Sequence, residues 1–317
     1  MSQPDRRAVF RAAAAFALCG GFAAGGESLG SADRRGVTTA QPGRRRRYVD
    51  ARYGQVHVTT TAPDAARIDR PAVCCLPMSP RSGRDFDEFA GLLAQDRSVH
   101  CPDVPGFGGS DAPPAPPAID DYAAALLESL DALASRGRRE SFDLVGQHSG
   151  AAIAIEMARQ QPRRIRRLVL IGVPLFGDAE REELRRQFVK PRPYFDDPDF
   201  LSAAWKRELP AVAAGLSRAA MLMRFTEIMR AGENSWWGFN AVFNYPLRAR
   251  LPQISQPVLT IALNERLGAA SREAAGLVQQ GRALEMPDLS GAALDFAAAR
   301  LASAAREFLD DGRVSRP

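Results

Sequence analysis

A single α/β domain, with a mostly parallel sheet flanked by helices, is the fold class this sequence predicts, and three observations carry it. Short β-branched or apolar runs alternate with stretches whose apolar residues recur at spacings of three and four, the pattern of strands joined by crossover helices. One run, Ala72–Leu76, is continuously apolar, as expected of a strand covered on both faces. A chain of 317 residues with 45% hydrophobic and 25% charged content can bury one large core.

In chain order, residues 48–50 and 55–60 flank Gly54 and predict an opening hairpin. The strand at 72–76 is followed by a helix over 84–95, where Phe86, Phe89, Leu92 and Leu93 form one face. Residues 98–101 predict the next strand, and Leu126, Leu127, Leu130 and Leu133 place a helix over 120–133. A strand over 142–146, a helix closed by Pro162 and a strand over 167–171 continue the rhythm. Between 174 and 251 it fails. Aromatic, proline-rich and helix-like pieces, including Trp205, Trp236 and Trp237, predict a helical cap inserted over the site. Strands at 257–262 and 283–286, a helix over 271–280 and a last helix over 293–309 complete the domain, which runs from 48 to 312.

The segment with chemical content is Leu144-Val145-Gly146-Gln147-His148-Ser149-Gly150-Ala151. It resembles the nucleophile elbow of the α/β-hydrolase fold family, a sharp strand-to-helix turn written small-x-nucleophile-x-small. Gly146 and Gly150 fill the small positions, because residues two before and two after the nucleophile meet across the turn. Counting from them puts His148 where the family has serine; a register with Ser149 in the slot would need Gln147 in a small position. Further matches in the same order are residues 76–86, 103–111 and 257–262, so the resemblance covers 48–312.

The departures matter as much. The resemblance implies an acid after the seventh strand, where Glu265 is the carboxylate available. It implies a histidine near 288–291, and no histidine follows His148 anywhere, so a Ser…Asp…His order cannot be met. The His-Gly pair that shapes the family's oxyanion hole is replaced by Pro77-Met78, leaving the backbone N–H groups of Met78 or Ser79, with that of Ser149, as candidate donors. His57 in the hairpin, His100 at a strand end near Asp103, and the acids Asp103 and Asp111 read as structural. Trp236 and Trp237 are candidate pocket walls, with cap packing as the alternative.

Outside the domain, the paired Arg6-Arg7 before the apolar run of residues 12–24 resembles a twin-arginine export signal over residues 1–30, implying a periplasmic protein. Residues 31–47, with Pro42, Gly43 and the run Arg44-Arg45-Arg46-Arg47, predict a basic linker. The net charge of +5 belongs to this end: residues 1–47 hold nine arginines and three acids, while positions 48 onward carry 33 basic and 34 acidic residues. A near-neutral body argues against nucleic acid as a partner. The apolar run is too short for a stable membrane span. Cys74, Cys75 and Cys101 fall in strands and read as buried thiols, and no metal-ligand spacing is present.

These observations favour a hydrolase of an ester or other acyl small molecule, without cofactor, using His148 as nucleophile or general base with Ser149 and Glu265 beside it. Two alternatives stay open: a catalytically silent member that binds a small molecule, and a cofactor-free lyase or oxygenase-like enzyme.

Overall fold

The computed structural model describes residues 43–134, 141–193, 197–213, 215–290 and 292–314. The proposed export signal lies outside the described residues. Eight strands form one sheet in the order β1-β2-β4-β3-β5-β6-β7-β8. They are β1 (Gly43–Ala51), β2 (Gly54–Ala62), β3 (Ala72–Leu76), β4 (Val99–Pro102), β5 (Phe142–Gln147), β6 (Ile165–Ile171), β7 (Val258–Leu263) and β8 (Gly281–Met286). β1 and β2 pair antiparallel and β2 meets β4 antiparallel, while β3 to β8 run parallel to one another.

The hairpin is longer than its sequence signal. β1 starts at Gly43, so the arginine run expected to be linker is strand, with Arg45 opposite Thr60 and Arg47 opposite Val58. The reason is backbone pairing. β2 offers a full-length edge, and an edge strand exposed to water accepts charged side chains without loss. Arg44 forms an ion pair with Asp87 across that edge.

The alternation of strand side chains divides the core into two layers. Cys74, Leu76 and Leu144 pack with α2 (Ile119–Leu133) and α3 (Ser149–Gln160) on one face. Val73, Cys75, Cys101 and Val145 pack with α1 (Asp87–Leu93) and the C-terminal helices on the other. Cys74, Cys75 and Cys101 are buried free thiols, and burial pushes the Cys74 and Cys75 thiols well up, which makes them inert at neutral pH. At the start of α2 the Asp121 carboxylate accepts from the Ala118 N–H at 3.1 Å, an N-terminal cap reached from inside the helix. The last helix is broken in two: α10 (Ala293–Phe296) and α11 (Ala298–Asp311) meet at Ala297, whose φ of −139° leaves the helical region.

The expected cap is present as α4 (Asp178–Phe188), α5 (Pro198–Ala213), α6 (Arg218–Arg230), α7 (Trp237–Asn244) and α8 (Leu247–Arg250), with α9 (Gly268–Leu277) following β7. Tyr245, after α7, donates its hydroxyl to the fully buried Glu156 carboxylate of α3 at 2.7 Å and so ties the cap's end to the domain. Among the described residues no helix is long and apolar enough to cross a membrane.

Candidate active site

The site is set by a turn that only certain residues can make. Between β5 and α3 the chain reverses within one residue, His148, at φ 49° and ψ −111°. It is the one non-glycine residue with positive φ among those described. Holding a side chain there costs about 1–3 kcal/mol, and such strain persists where the surroundings impose it. They do so here. The His148 N–H donates to the Ile171 carbonyl at the end of β6 at 3.0 Å, and the Ala151 N–H donates to the His148 carbonyl at 2.9 Å.

The glycines that flank the turn have no room for anything larger. A Cβ on Gly146 would lie 2.5 Å from the Gly150 carbonyl oxygen, and one on Gly150 would lie 2.1 Å from that of Leu76. The turn therefore pivots at His148, midway between the two glycines, and Ser149 is the first residue of α3.

His148 projects from the turn with its ring about a quarter exposed, and its Nε2 lies 3.0 Å from Glu265 Oε1. Glu265 stands two residues beyond β7 on a tight turn, its N–H donating to the Leu263 carbonyl at 2.9 Å and its carbonyl accepting from Gly268 at 3.0 Å. The acid expected after the seventh strand is thus the group that the elbow histidine touches. A carboxylate only accepts, so the shared proton belongs to Nε2 and the Nδ1 of the neutral ring keeps its lone pair.

Two further residues shape this pair and carry no signal in a single sequence. Gly172, at φ 67° just after β6, lies against both: a Cβ there would stand 2.4 Å from His148 Cδ2 and 2.5 Å from Glu265 Oε1. Ser271 on α9 pins the neighbouring backbone, accepting from the Val173 N–H and donating to the Leu267 carbonyl, each at 2.8 Å. A glycine closing a strand and a serine inside a helix are too common to stand out.

Of the candidate oxyanion donors, one is free of a helical acceptor and one is engaged. The Ser149 N–H opens α3, where first-turn amides have no helical acceptor. Ser79 N–H, however, donates to the Ser149 hydroxyl at 2.7 Å, so this donor is occupied until that side chain turns away. Met78 precedes it, half-buried, its carbonyl accepting from Arg81 at 3.0 Å. Gly238 of α7 closes over the same loop, where a Cβ would stand 2.2 Å from that of Ser79.

Trp236 and Trp237 do not wall the cavity under the cap. Trp237 is buried in the main core and Trp236 packs half-buried against it, since large flat rings at the root of the cap gain most from covering the domain. That cavity, of about 260 Å³, has Pro80, Phe188, Phe225, Ile228, Met229 and Phe239 among its lining residues.

The other histidines are structural, with one exchange of partners. His57, not His100, meets Asp103, through Nδ1 at 2.9 Å, because β2 brings the hairpin beside the end of β4. Asp103 also accepts from the N–H groups of Gly83 and Gly109. His100 sits against Thr60 at 3.0 Å, and burial lowers its pKa to about 4, keeping it neutral. Asp111 accepts from the Gln55 N–H at 2.7 Å. Among the described residues no group of acids, histidines and cysteines is arranged to hold a metal ion.

Comparison with known proteins agrees with this architecture. A 2-hydroxymuconate semialdehyde hydrolase from Pseudomonas sp. (strain CF600) is 40% identical over 84 residues, 25% of this chain and 27% of that protein. A 2-hydroxy-6-oxo-2,4-heptadienoate hydrolase from Pseudomonas putida is 37% identical over 81 residues, 25% of this chain and 28% of that protein. The chain thus matches about a quarter of the length of these curated relatives. Among solved structures, a hydrolase from Pseudomonas aeruginosa superposes with a TM-score of 0.67 at 21% identity, over 84% of this chain and 98% of that one. An esterase from Thermogutta terrifontis superposes with a TM-score of 0.64 at 19% identity, over 84% and 98%. At such identities the likeness is one of fold. The family model described as the alpha/beta hydrolase fold matches residues 71–263, a span that runs from β3 through the elbow and the cap to the end of β7. With the sheet order, the glycine-flanked elbow and the acid after β7 all in place, the chain belongs to the alpha/beta hydrolase fold family.

Proposed function

We propose that this protein hydrolyses an ester or other acyl bond of a small molecule, with His148 as general base held by Glu265. The observation that carries this reading is the 3.0 Å contact between His148 Nε2 and Glu265 Oε1, at the turn where the family presents its reacting group. In this mechanism Nδ1 takes a proton from water as the water oxygen attacks the carbonyl carbon. The Glu265 carboxylate stabilises the imidazolium so formed. Backbone N–H groups of Ser149 and, once its hydroxyl swings aside, Ser79 receive the negative oxygen. His148 then returns its proton to the leaving alkoxide, and acid and alcohol depart. Attack by His148 itself, through an acyl-imidazole, uses the same lone pair.

The relatives' names support hydrolysis as the class, since two of the curated matches are called hydrolases. A panel of small acyl esters presented to the purified protein tests the reading. Turnover above the uncatalysed rate is expected for at least one of them, and none for any member would sink it.

A second reading, a silent member that binds its small molecule without turning it over, is favoured by one observation. The Ser149 hydroxyl already satisfies the Ser79 N–H, as if no oxyanion were awaited. Cofactor-free proton abstraction by His148 also fits an occupied donor. A ligand that binds stoichiometrically and is recovered unchanged would favour the silent reading, whereas a rearranged or cleaved product without hydrolysis would favour proton abstraction.

Residues 1–30 are proposed to direct export through a twin-arginine route, on the strength of Arg6-Arg7 and the weak apolar run behind them. Cell fractionation with N-terminal sequencing should find a shortened chain outside the inner membrane. Full-length protein in the cytoplasm alone would refute this.

A further inference from the structure

The interface between cap and domain buries a cluster of ionisable groups that the proposed chemistry does not use. On the domain side are Arg81 and Asp85, paired at 2.7 Å and nearly sealed from solvent, with Asp295 on α10. On the cap side α5 contributes Glu208, and α6 contributes Arg224 and Glu227. Arg224 joins the layers, reaching Glu208 at 3.4 Å and Asp295 at 3.1 Å. Arg84, half exposed, approaches Glu227 at 4.0 Å.

Four carboxyls thus share three guanidiniums, one of them at the solvent edge, and full ionisation would leave an uncompensated negative charge in a poorly solvated interface. The hydrogen bonding is incomplete as well: among the described residues Asp85 Oδ2 and Glu227 Oε2 are buried without a donor, and Arg81 Nε and Arg224 Nε without an acceptor. Each unfilled acceptor is costly, and a proton on a carboxyl turns an acceptor into a donor.

We propose that this cluster is a proton-operated latch, in which a proton held by Asp85 fastens the cap to the domain and its loss loosens α5 and α6. Burial pushes the Asp85 carboxyl up to about 7; Arg81 and Arg224 oppose that rise, while Asp295 and Glu227 add to it. With the cap open, Asp85 is hydrated and returns toward its ordinary value of 3.8. Closure therefore takes up a proton between roughly pH 4 and pH 7. Fastening is strongest at the acid end of that window, declines as pH rises, and is fully lost above about 7. The latch has leverage on the site: Arg81 lies two residues beyond Ser79, and Glu208 and Pro80 both line the cavity under the cap.

Hydrogen exchange followed by mass spectrometry tests this without any substrate, and so independently of the hydrolytic reading. After correction for the intrinsic effect of pH, peptides from α5 and α6 of the wild-type protein should exchange at least about tenfold faster at pH 8 than at pH 5.5, while peptides from β5 and β6 should not change. Asp85→Asn should abolish the difference, with slow exchange at both values. Glu227→Gln, which keeps Asp85 but removes a neighbouring negative charge that holds its carboxyl up, should move the transition to lower pH. Equal corrected exchange of the wild-type cap at the two values would overturn the proposal, as would a pH response unchanged in either variant.

Discussion

His148→Ala and Glu265→Gln are each expected to lower turnover of the best ester by about 10²–10⁴-fold, the range that a positioned general base contributes. The two losses should not add. His148 holds the lone pair and Glu265 fixes which nitrogen carries it, so the pair acts as one unit and the double variant should be about as slow as His148→Ala alone. Glu265→Gln is the sharper of the two. Its amide has nearly the same size but can present an N–H to the ring, and the neutral tautomer that leaves Nδ1 free is then no longer enforced. Substrate affinity should change little, since a general base acts on the attacking water and its interaction is made mainly in the transition state. Steady-state kinetics on the two single variants and the double variant check all three statements.

Gly150→Ala is expected to destabilise the fold by at least about 3 kcal/mol, a large part of the ~5–15 kcal/mol that holds a domain together. The added Cβ would stand 2.1 Å from the Leu76 oxygen and 2.8 Å from that of Pro77. Both contacts are backbone, belonging to the end of a central strand and to the loop that leads to Ser79, so neither can yield as a flexible side chain would. Relief requires moving α3 off the sheet, which opens a void in a layer where Ala151, Ile153, Ala154 and Ile155 are buried. Thermal unfolding followed by circular dichroism should show a midpoint lowered by at least roughly 8 °C. A shift of less than about 2 °C would mean that the elbow relaxes without strain. The same substitution at Gly91, where a Cβ meets nothing within 4 Å, supplies the control.

What was legible in the sequence follows from how local each signal is. Strands β3 to β8 and helices α2 and α3 are set by periodicity and by breakers such as Pro162, and they stand where the sequence puts them. The elbow register was legible because steric exclusion at two glycines is a property of adjacent residues. β1 was not. Its arginines have no apolar pattern, and they are strand only because β2 presents an edge, a long-range fact. The contact between His148 and Glu265, 117 residues apart, was foreshadowed only by the position of an acid after β7. Gly172 and Ser271 gave no warning, since their importance lies in what a Cβ or a lost hydroxyl would touch. The exchange of His57 for His100 at Asp103 has the same origin, in the pairing of β2 with β4. The latch was equally hidden: its six most buried residues, Arg81, Asp85, Glu208, Arg224, Glu227 and Asp295, come from four elements and look like ordinary surface charges in the sequence.

The central claim is that the chemistry rests on His148 and Glu265 and on no serine. An activated serine needs a base beside it, and Ser149 Oγ instead accepts a backbone N–H from Ser79 at 2.7 Å. Incubating the active protein with a fluorophosphonate and recording its intact mass, with ester turnover followed in parallel, tests this most directly. An unmodified mass with undiminished turnover is the predicted result; a stoichiometric adduct on Ser149 that extinguishes turnover would contradict it.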